Sequence, residues 1–202
     1  MRTGVFGGSF DPVHNAHLAI AERAICAVEL DMLLFMPVHS QPFKLSANMS
    51  GSAHRMDMLH LAIRGGERFG VTDVELARGG VSYTIDSLRA IRGDGAKTGE
   101  IFFLLGADML LMLEKWYRAD ELLREFSFIA ARRPGSGEDD FELCAERLRE
   151  SYGARVILMD NPKTDISSSE IRARVRAGES IEGLVPASVG KYIYENGLYC
   201  KP

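Results

Sequence analysis

Thr3-Gly4-Val5-Phe6-Gly7-Gly8-Ser9-Phe10-Asp11-Pro12-Val13-His14-Asn15-Ala16-His17 compresses a strand, a turn and the start of a helix into one stretch. Thr3 to Phe6 reads as a short buried strand, and two adjacent glycines follow it at once. Glycine adopts backbone conformations closed to other residues and lets a ligand approach the main chain, while Asp11-Pro12 marks a turn before the next element. Beyond it Leu18, Ala21, Ile25 and Val28 recur every three or four positions, which predicts a helix from about Asn15 to Glu29 with one buried stripe. His14 and His17 then stand three apart on one face of its first turn. Unpaired main-chain N–H groups and the positive end of the helix dipole lie there too, where a phosphate is most readily held.

Plainer readings compete. An H-x-x-H pair can bind zinc, but no cysteine or carboxylate stands nearby at metal-site spacing. The turn could be a tight connection and no more, or a fragment of a dinucleotide fingerprint. G-x-G-x-x-G itself is absent, because the glycines are adjacent and no third follows.

Working outward, Met32 to Met36 is an apolar run stopped by Pro37, as a second buried strand would be. The polar loop Val38 to Lys44 follows, and Lys44 is either a solvated surface lysine or a cation at a strand edge within reach of a phosphate. Met56, Leu59 and Ile63 predict a helix over Ser52 to Arg64, ended by Gly65-Gly66. His54 and His60 are then residues of the helix surface. Val71 to Leu76 reads as a third strand, and Ser82 as the cap of the helix after Gly79-Gly80. Ile101 to Leu105 is the most apolar strand candidate. Gly106-Ala107-Asp108 stands at its carboxyl end, the edge where open parallel sheets bind ligands, and Asp108 also reads as a helix cap. Trp116, the single tryptophan, is a core residue or a ligand platform. Ser127 to Ala131 and Arg155 to Met159 supply the fifth and sixth strands, with a helix marked by Phe141, Cys144, Ala145 and Leu148 between them. Ser167 with Glu170 three residues on forms a capping box, and Leu184 to Tyr199 carries an amphipathic helix. Strands alternating with helices predict an α/β fold: an open parallel sheet of about six strands with helices on both faces and a small C-terminal helical part.

The chain's 202 residues suit one domain or a domain with a small appendage. With 46% hydrophobic and 26% charged residues, and no apolar run near the length of a span, it reads as a globular protein without a membrane segment. Its first residues form a strand, so no signal peptide is expected. Three widely spaced cysteines, Cys26, Cys144 and Cys200, do not make a disulfide framework, and a cytoplasmic, reducing setting fits them. A formal charge of −4 excludes a long nucleic-acid track while leaving room for a local basic pocket. The number of copies in solution, one chain or a homo-oligomer, is not fixed by sequence.

Five blocks resemble a known family, in order and over essentially residues 1 to 200. FGGSFDPVHNAHL resembles the phosphate-binding signature of the nucleotidylyltransferase superfamily, a glycine-rich turn followed by H-x-G-H, with Ala16 in place of the glycine. The loop ending in Pro42-Phe43-Lys44 resembles the lysine loop of bacterial nicotinate-mononucleotide adenylyltransferases, where P-H-K is common. SYTIDSL resembles that family's SYT-x-DTL, GADMLLMLEKWYRADELL its G-x-D…W…ELL block, and ISSSEIR its ISST-x-IR, with Ser169 for threonine. The tail resembles its LVP…V…YI…LY ending.

The resemblance implies a Rossmann-like domain over 1–165 and a C-terminal helical part over 166–202 that completes the ATP site. It implies transfer of the adenylyl group of ATP to nicotinate mononucleotide, with Mg²⁺ held mainly through the ATP phosphates. His14, His17, Lys44 and Arg172 inherit the catalytic positions. Gly7, Gly8, Ser9, Phe10, Gly106, Asp108, Ile166, Ser167 and Ser168 inherit contacts with ATP. Thr84, Trp116 and Tyr117 inherit the acceptor, the tryptophan stacking on its pyridine ring. A same-fold enzyme with another phosphorylated acceptor, such as the amide mononucleotide, and a non-catalytic nucleotide-binding module are the alternatives.

Overall fold

The computed structural model describes residues 1–39, 49–93, 99–132, 138–161 and 166–200. Six strands form one parallel sheet: β1 (Arg2–Gly8), β2 (Met32–Pro37), β3 (Phe69–Val71), β4 (Glu100–Gly106), β5 (Ser127–Arg132) and β6 (Arg155–Asp160). Their order is β3-β2-β1-β4-β5-β6, so the chain winds outward from β1 in one direction and from β4 in the other. Phe6 is level with Leu104, two residues before β1 and β4 end at Gly8 and Gly106. The two glycines therefore finish neighbouring strands at the point where the winding reverses, which is where a doubly wound sheet opens a ligand crevice.

Period-two alternation sends successive side chains to opposite faces, and each face builds a core of its own. Phe6, Phe35, Phe102, Leu104 and Ile129 pack on one side with α1 (Asn15–Val28) and α2 (Ser52–Ala62). The same core takes Ile171 and Val175 of α8 (Ser168–Ala177) and Val189 and Ile193 of α9 (Ala187–Glu195), so the C-terminal part is welded to the sheet. Val5, Phe103, Leu105, Phe128 and Ala130 face the other way. There they meet α4 (Thr84–Gly93), α5 (Ala107–Leu110), α6 (Ala119–Glu125) and α7 (Glu138–Tyr152). No helix among the described residues is long and apolar enough to cross a membrane.

Three local expectations are corrected. The third strand is Phe69–Val71, and Val74 to Leu76, expected inside it, belong to the short helix α3 (Val74–Arg78). The last ladder contact on this edge is the Thr72 N–H donated to the Phe35 carbonyl at 2.9 Å, after which the chain turns. Ser82 does not cap α4: the N–H groups of Asp86 and Ser87 bond the carbonyl of Tyr83, and Ser82 is buried one residue earlier. In α2 the inward stripe is Arg55, Met58 and Leu59, where Met56, Leu59 and Ile63 were expected.

Candidate active site

Gly7 and Gly8 lie within β1, and neither has a positive φ. Their small size is what counts. A β-carbon on Gly7 would stand 3.0 Å from the Phe103 ring, and one on Gly8 2.9 Å from the Phe10 ring. The left-handed residue of the turn is Phe10 itself, at φ 48°. That conformation costs a non-glycine residue about 1–2 kcal/mol. Burying its ring, 1% exposed and edge-on to Phe6, Phe35 and His17, returns a similar or larger amount, about 1.5–3 kcal/mol.

α1 begins at Asn15, as the sequence predicts, with His14 at its cap position. The His14 N–H donates to Nδ1 of His17 at 3.3 Å, and the two rings stack with centroids 3.6 Å apart. A neutral His17 that accepts at Nδ1 carries its hydrogen on Nε2, so it is a donor on its other side. Burial holds His14 down to about 4, and burial with the neighbouring His14 holds His17 well below the ordinary histidine range. Both rings are neutral at pH 7. Ala16, between them, is buried, so its methyl group is enclosed by protein.

The second signature block closes on this turn. Ser167 caps α8, accepting the Glu170 N–H at 3.2 Å, whereas the Glu170 carboxylate turns to Arg174, so only half of the expected capping box forms. Ser168 Oγ donates to the Pro12 carbonyl at 2.9 Å, and Arg172 to the Asp11 carbonyl at 2.7 Å. Ile166 packs partly buried against the core below, and Ser167 is exposed. From the far end of the chain Tyr199 donates its hydroxyl to Asp11 Oδ1 at 2.6 Å, and the Ser50 N–H reaches Asp11 Oδ2. Burial and the Asp11 carboxylate push the Tyr199 hydroxyl far above its ordinary range, so it stays a donor.

Arg55 is one residue of the site that sequence reasoning missed. It is 2% exposed, yet its guanidinium donates to the carbonyls of Ser9 (3.0 Å), Val38 (2.9 Å) and Ser50 (3.2 Å). Three carbonyls and the nearby Asp11 carboxylate satisfy a charge that would be costly to bury alone. One side chain thus joins the nucleotide turn to both flanks of the segment between β2 and α2. Lys44 lies in that segment, outside the described residues.

The expected acceptor residues gather beside the end of β4. Thr84 opens α4, and the ring of its neighbour Tyr83 stacks on Tyr117 with centroids 4.2 Å apart. Trp116 meets the Phe103 ring edge-on, and its indole N–H is buried without a partner among the described residues. Phe103 is the ring that also excludes a side chain from Gly7, so nucleotide turn and acceptor block share one wall. A β-carbon on Gly106 would meet no atom within 4 Å, which leaves its main chain open to a ligand. Asp108 is exposed in the first turn of α5 with Gly106 at the cap position, so it does not cap that helix. A separate cavity of about 300 Å³ opens at the opposite edge of the sheet among Arg92, Glu100, Arg124, Glu125 and Arg155. There Arg92 pairs with Glu125 and Arg155 with Glu100, so its charges largely satisfy one another.

Comparison with known proteins agrees with this geometry. The cytidylyltransferase-like family model matches residues 5–174. A nicotinate-nucleotide adenylyltransferase of Bacillus subtilis is 37% identical over 98% of both chains. A Dehalococcoides mccartyi protein named as a probable nicotinate-nucleotide adenylyltransferase is 36% identical over 100% of this chain and 98% of its own. Among solved structures, the Plasmodium falciparum nicotinic acid mononucleotide adenylyltransferase complexed with NaAD has the same fold, with a TM-score of 0.78 at 21% identity over 98% of this chain and 97% of that one. Identity of this extent, running the full length of both partners, makes the chain a member of the nicotinate-nucleotide adenylyltransferase family.

Proposed function

We propose that this chain transfers the adenylyl group of ATP to the 5′-phosphate of nicotinate mononucleotide, releasing pyrophosphate and forming nicotinate adenine dinucleotide. One observation carries the reading: Ser168 and Arg172, 156 and 161 residues from the carbonyls they reach, are hydrogen-bonded to the turn that presents His14 and His17, which supports one phosphate-facing surface built from both signature blocks. The acceptor phosphate is already anionic at pH 7, so no covalent nucleophile is needed. The protein's work is to hold that oxygen in line with the α-phosphorus and to stabilise charge as it develops on the transferred and leaving groups.

His14 and His17, neutral and stacked, act as N–H donors to phosphate oxygens, and Lys44 and Arg172 act as cations. Gly7, Gly8, Ser9, Phe10, Gly106, Asp108, Ile166, Ser167 and Ser168 line the ATP side, with residues 166–202 completing it. Thr84, Trp116 and Tyr117 take the acceptor, whose ring lies on the indole. Mg²⁺ is held mainly through the ATP phosphates. Such an ion neutralises charge on the phosphates. Three unpaired cysteines support a cytoplasmic setting.

The test is pyrophosphate release from ATP and Mg²⁺ with nicotinate mononucleotide, the amide mononucleotide and the phosphates of pantetheine, glycerol and riboflavin. The acid mononucleotide is expected to exceed the amide by about tenfold or more in kcat/KM. Main-chain N–H groups around the ring would donate to both carboxylate oxygens but would meet the amide NH₂ with another donor. Equal values would remove the acid preference while leaving adenylyl transfer standing. Release with none of the five would favour a binding module.

A further inference from the structure

We infer that Glu75 is a positioning residue for the acceptor, a buried carboxylate that fixes the start of α4 against the segment leaving β2. The inference rests on the proposed reaction and adds to it a residue outside the signature blocks. α3 is five residues long, and the only one of them that is buried is Glu75, at 3% exposure. A carboxylate is an expensive group to turn inward from a short surface helix whose neighbours include Val74 and Leu76, so its partners must account for it.

Those partners come from two directions. Ser87 Oγ, fully buried in α4, donates to Glu75 Oε1 at 2.9 Å. The Ser87 N–H in turn donates to the carbonyl of Tyr83, and its hydroxyl lies 3.3 Å from the same oxygen. Glu75 therefore grips the turn from which Tyr83 and Thr84 emerge, with the Ser82 hydroxyl beside it. On the other side the main-chain N–H of His39 lies near the same carboxylate. The preceding residue, Val38, donates its N–H to the Gly8 carbonyl at 2.9 Å and accepts from Arg55 at 2.9 Å. Hydrogen bonds thus tie Glu75 to Ser87 and Tyr83 beside Thr84, and Val38 to the nucleotide turn, with His39 next to both Val38 and Glu75. Burial raises the carboxyl group of Glu75, and Arg78 one turn along counters that.

In-line transfer needs the acceptor phosphate registered against ATP to a fraction of an ångström, and Glu75 stands between the two segments that must hold that register. Glu75→Gln keeps the shape but points an NH₂ at a group that is itself a donor. Ser87→Ala removes the α4 half of the connection alone.

The experiment titrates nicotinate mononucleotide against the fluorescence of Trp116, the single tryptophan, and ATP by calorimetry. Wild type, E75Q, S87A and E75Q/S87A are compared, with thermal melts of each. The expected result is an acceptor Kd weakened about tenfold in E75Q and several-fold in S87A, ATP binding within twofold of wild type, and a double variant no weaker than E75Q. An unchanged acceptor Kd in folded E75Q would overturn the assignment. So would joint weakening of both ligands in step with a falling melting temperature, or additive effects in the double variant. Should E75Q fail to fold, S87A decides alone, and an unchanged acceptor Kd there has the same force. Failure of wild type to release pyrophosphate with nicotinate mononucleotide would instead refute the acceptor identity. Glu75 would then be judged by the same comparison on whichever acceptor supports release.

Discussion

The nucleotide turn and the acceptor block sit a few ångströms apart across Phe103, yet they are built in opposite ways. From Phe10 to His14 every residue of the turn is buried, and Arg55, Ser168, Arg172, Tyr199 and the Ser50 N–H hold it from three separate stretches of chain. Beside it Val81, Tyr83, Met109, Leu111, Met112 and Tyr117 are exposed, and the Trp116 N–H has no partner among the described residues. The difference suits the task proposed for each half. Charge developing on phosphorus is stabilised only by donors already in place, because reorganising them would use up the gain. A flat aromatic acceptor is recognised by apolar surface and a few polar groups, and the ligand itself can complete those contacts.

The largest effect that tests this contrast is loss of a histidine. His14→Ala and His17→Ala should fold and bind the acceptor, but lower kcat by roughly 10²–10³, the usual worth of one preorganised donor. Near wild-type turnover at saturating ATP in either variant would break the assignment of that histidine.

Arg172→Ala comes next. A charge-assisted contact is worth about 1.5–3 kcal/mol, so the KM for ATP should rise or kcat fall by tenfold or more, with the acceptor KM little changed. Arg172→Lys should recover only part of this, because one ammonium cannot both hold the Asp11 carbonyl and reach a phosphate as a fork does. An effect confined to the acceptor KM would place Arg172 in the wrong half.

The buried histidines also predict a pH dependence of stability. His14 titrates at about 4 when folded and near 6.5 when unfolded, so above pH 6.5 neither state holds its proton. As pH falls below that, the unfolded chain takes up a proton that the folded chain refuses, and stability drops until pH nears 4. Between pH 7.5 and 5 this amounts to about 2 kcal/mol. Urea midpoints should therefore fall less on the acid side in His14→Ala than in wild type. Identical pH profiles would mean that the turn is open enough to protonate, against the preformed half of the contrast.

How far each half was legible in the sequence follows the same divide. β1, the start of α1 and the Ser167 cap were readable because apolar spacing and cap chemistry act over a few residues. The glycines were read in part for the wrong reason, since neither has a positive φ. Their need for space comes from the rings of Phe103 and Phe10, and the strained φ belongs to Phe10, neither of which a local pattern reveals. Arg55 and Glu75 were lost because periodicity assigns charge to solvent. Their inward rotation is set by carbonyls, an N–H and a hydroxyl brought from other segments, and the same error moved the inward face of α2 to Met56 and made a strand of α3. Roles for Lys44 and the other inherited residues rest on motif, and here the variants decide.

The smallest effect belongs to Trp116→Phe, and it is the most selective probe of the open half. Phenylalanine keeps an aromatic face but offers less of it, and aromatic stacking beyond simple burial is worth about 0.5–1.5 kcal/mol. The acceptor KM should therefore rise about two- to tenfold while the KM for ATP stays put. Stability gives the second reading. The indole N–H makes no bond among the described residues, so removing it leaves none of their groups without its partner, and the melting temperature should hold or rise. A fall in melting temperature with no change in acceptor KM would mean that Trp116 is a core residue after all. A fall in ATP affinity would mean that the wall formed by Phe103 joins the two halves more tightly than their construction suggests.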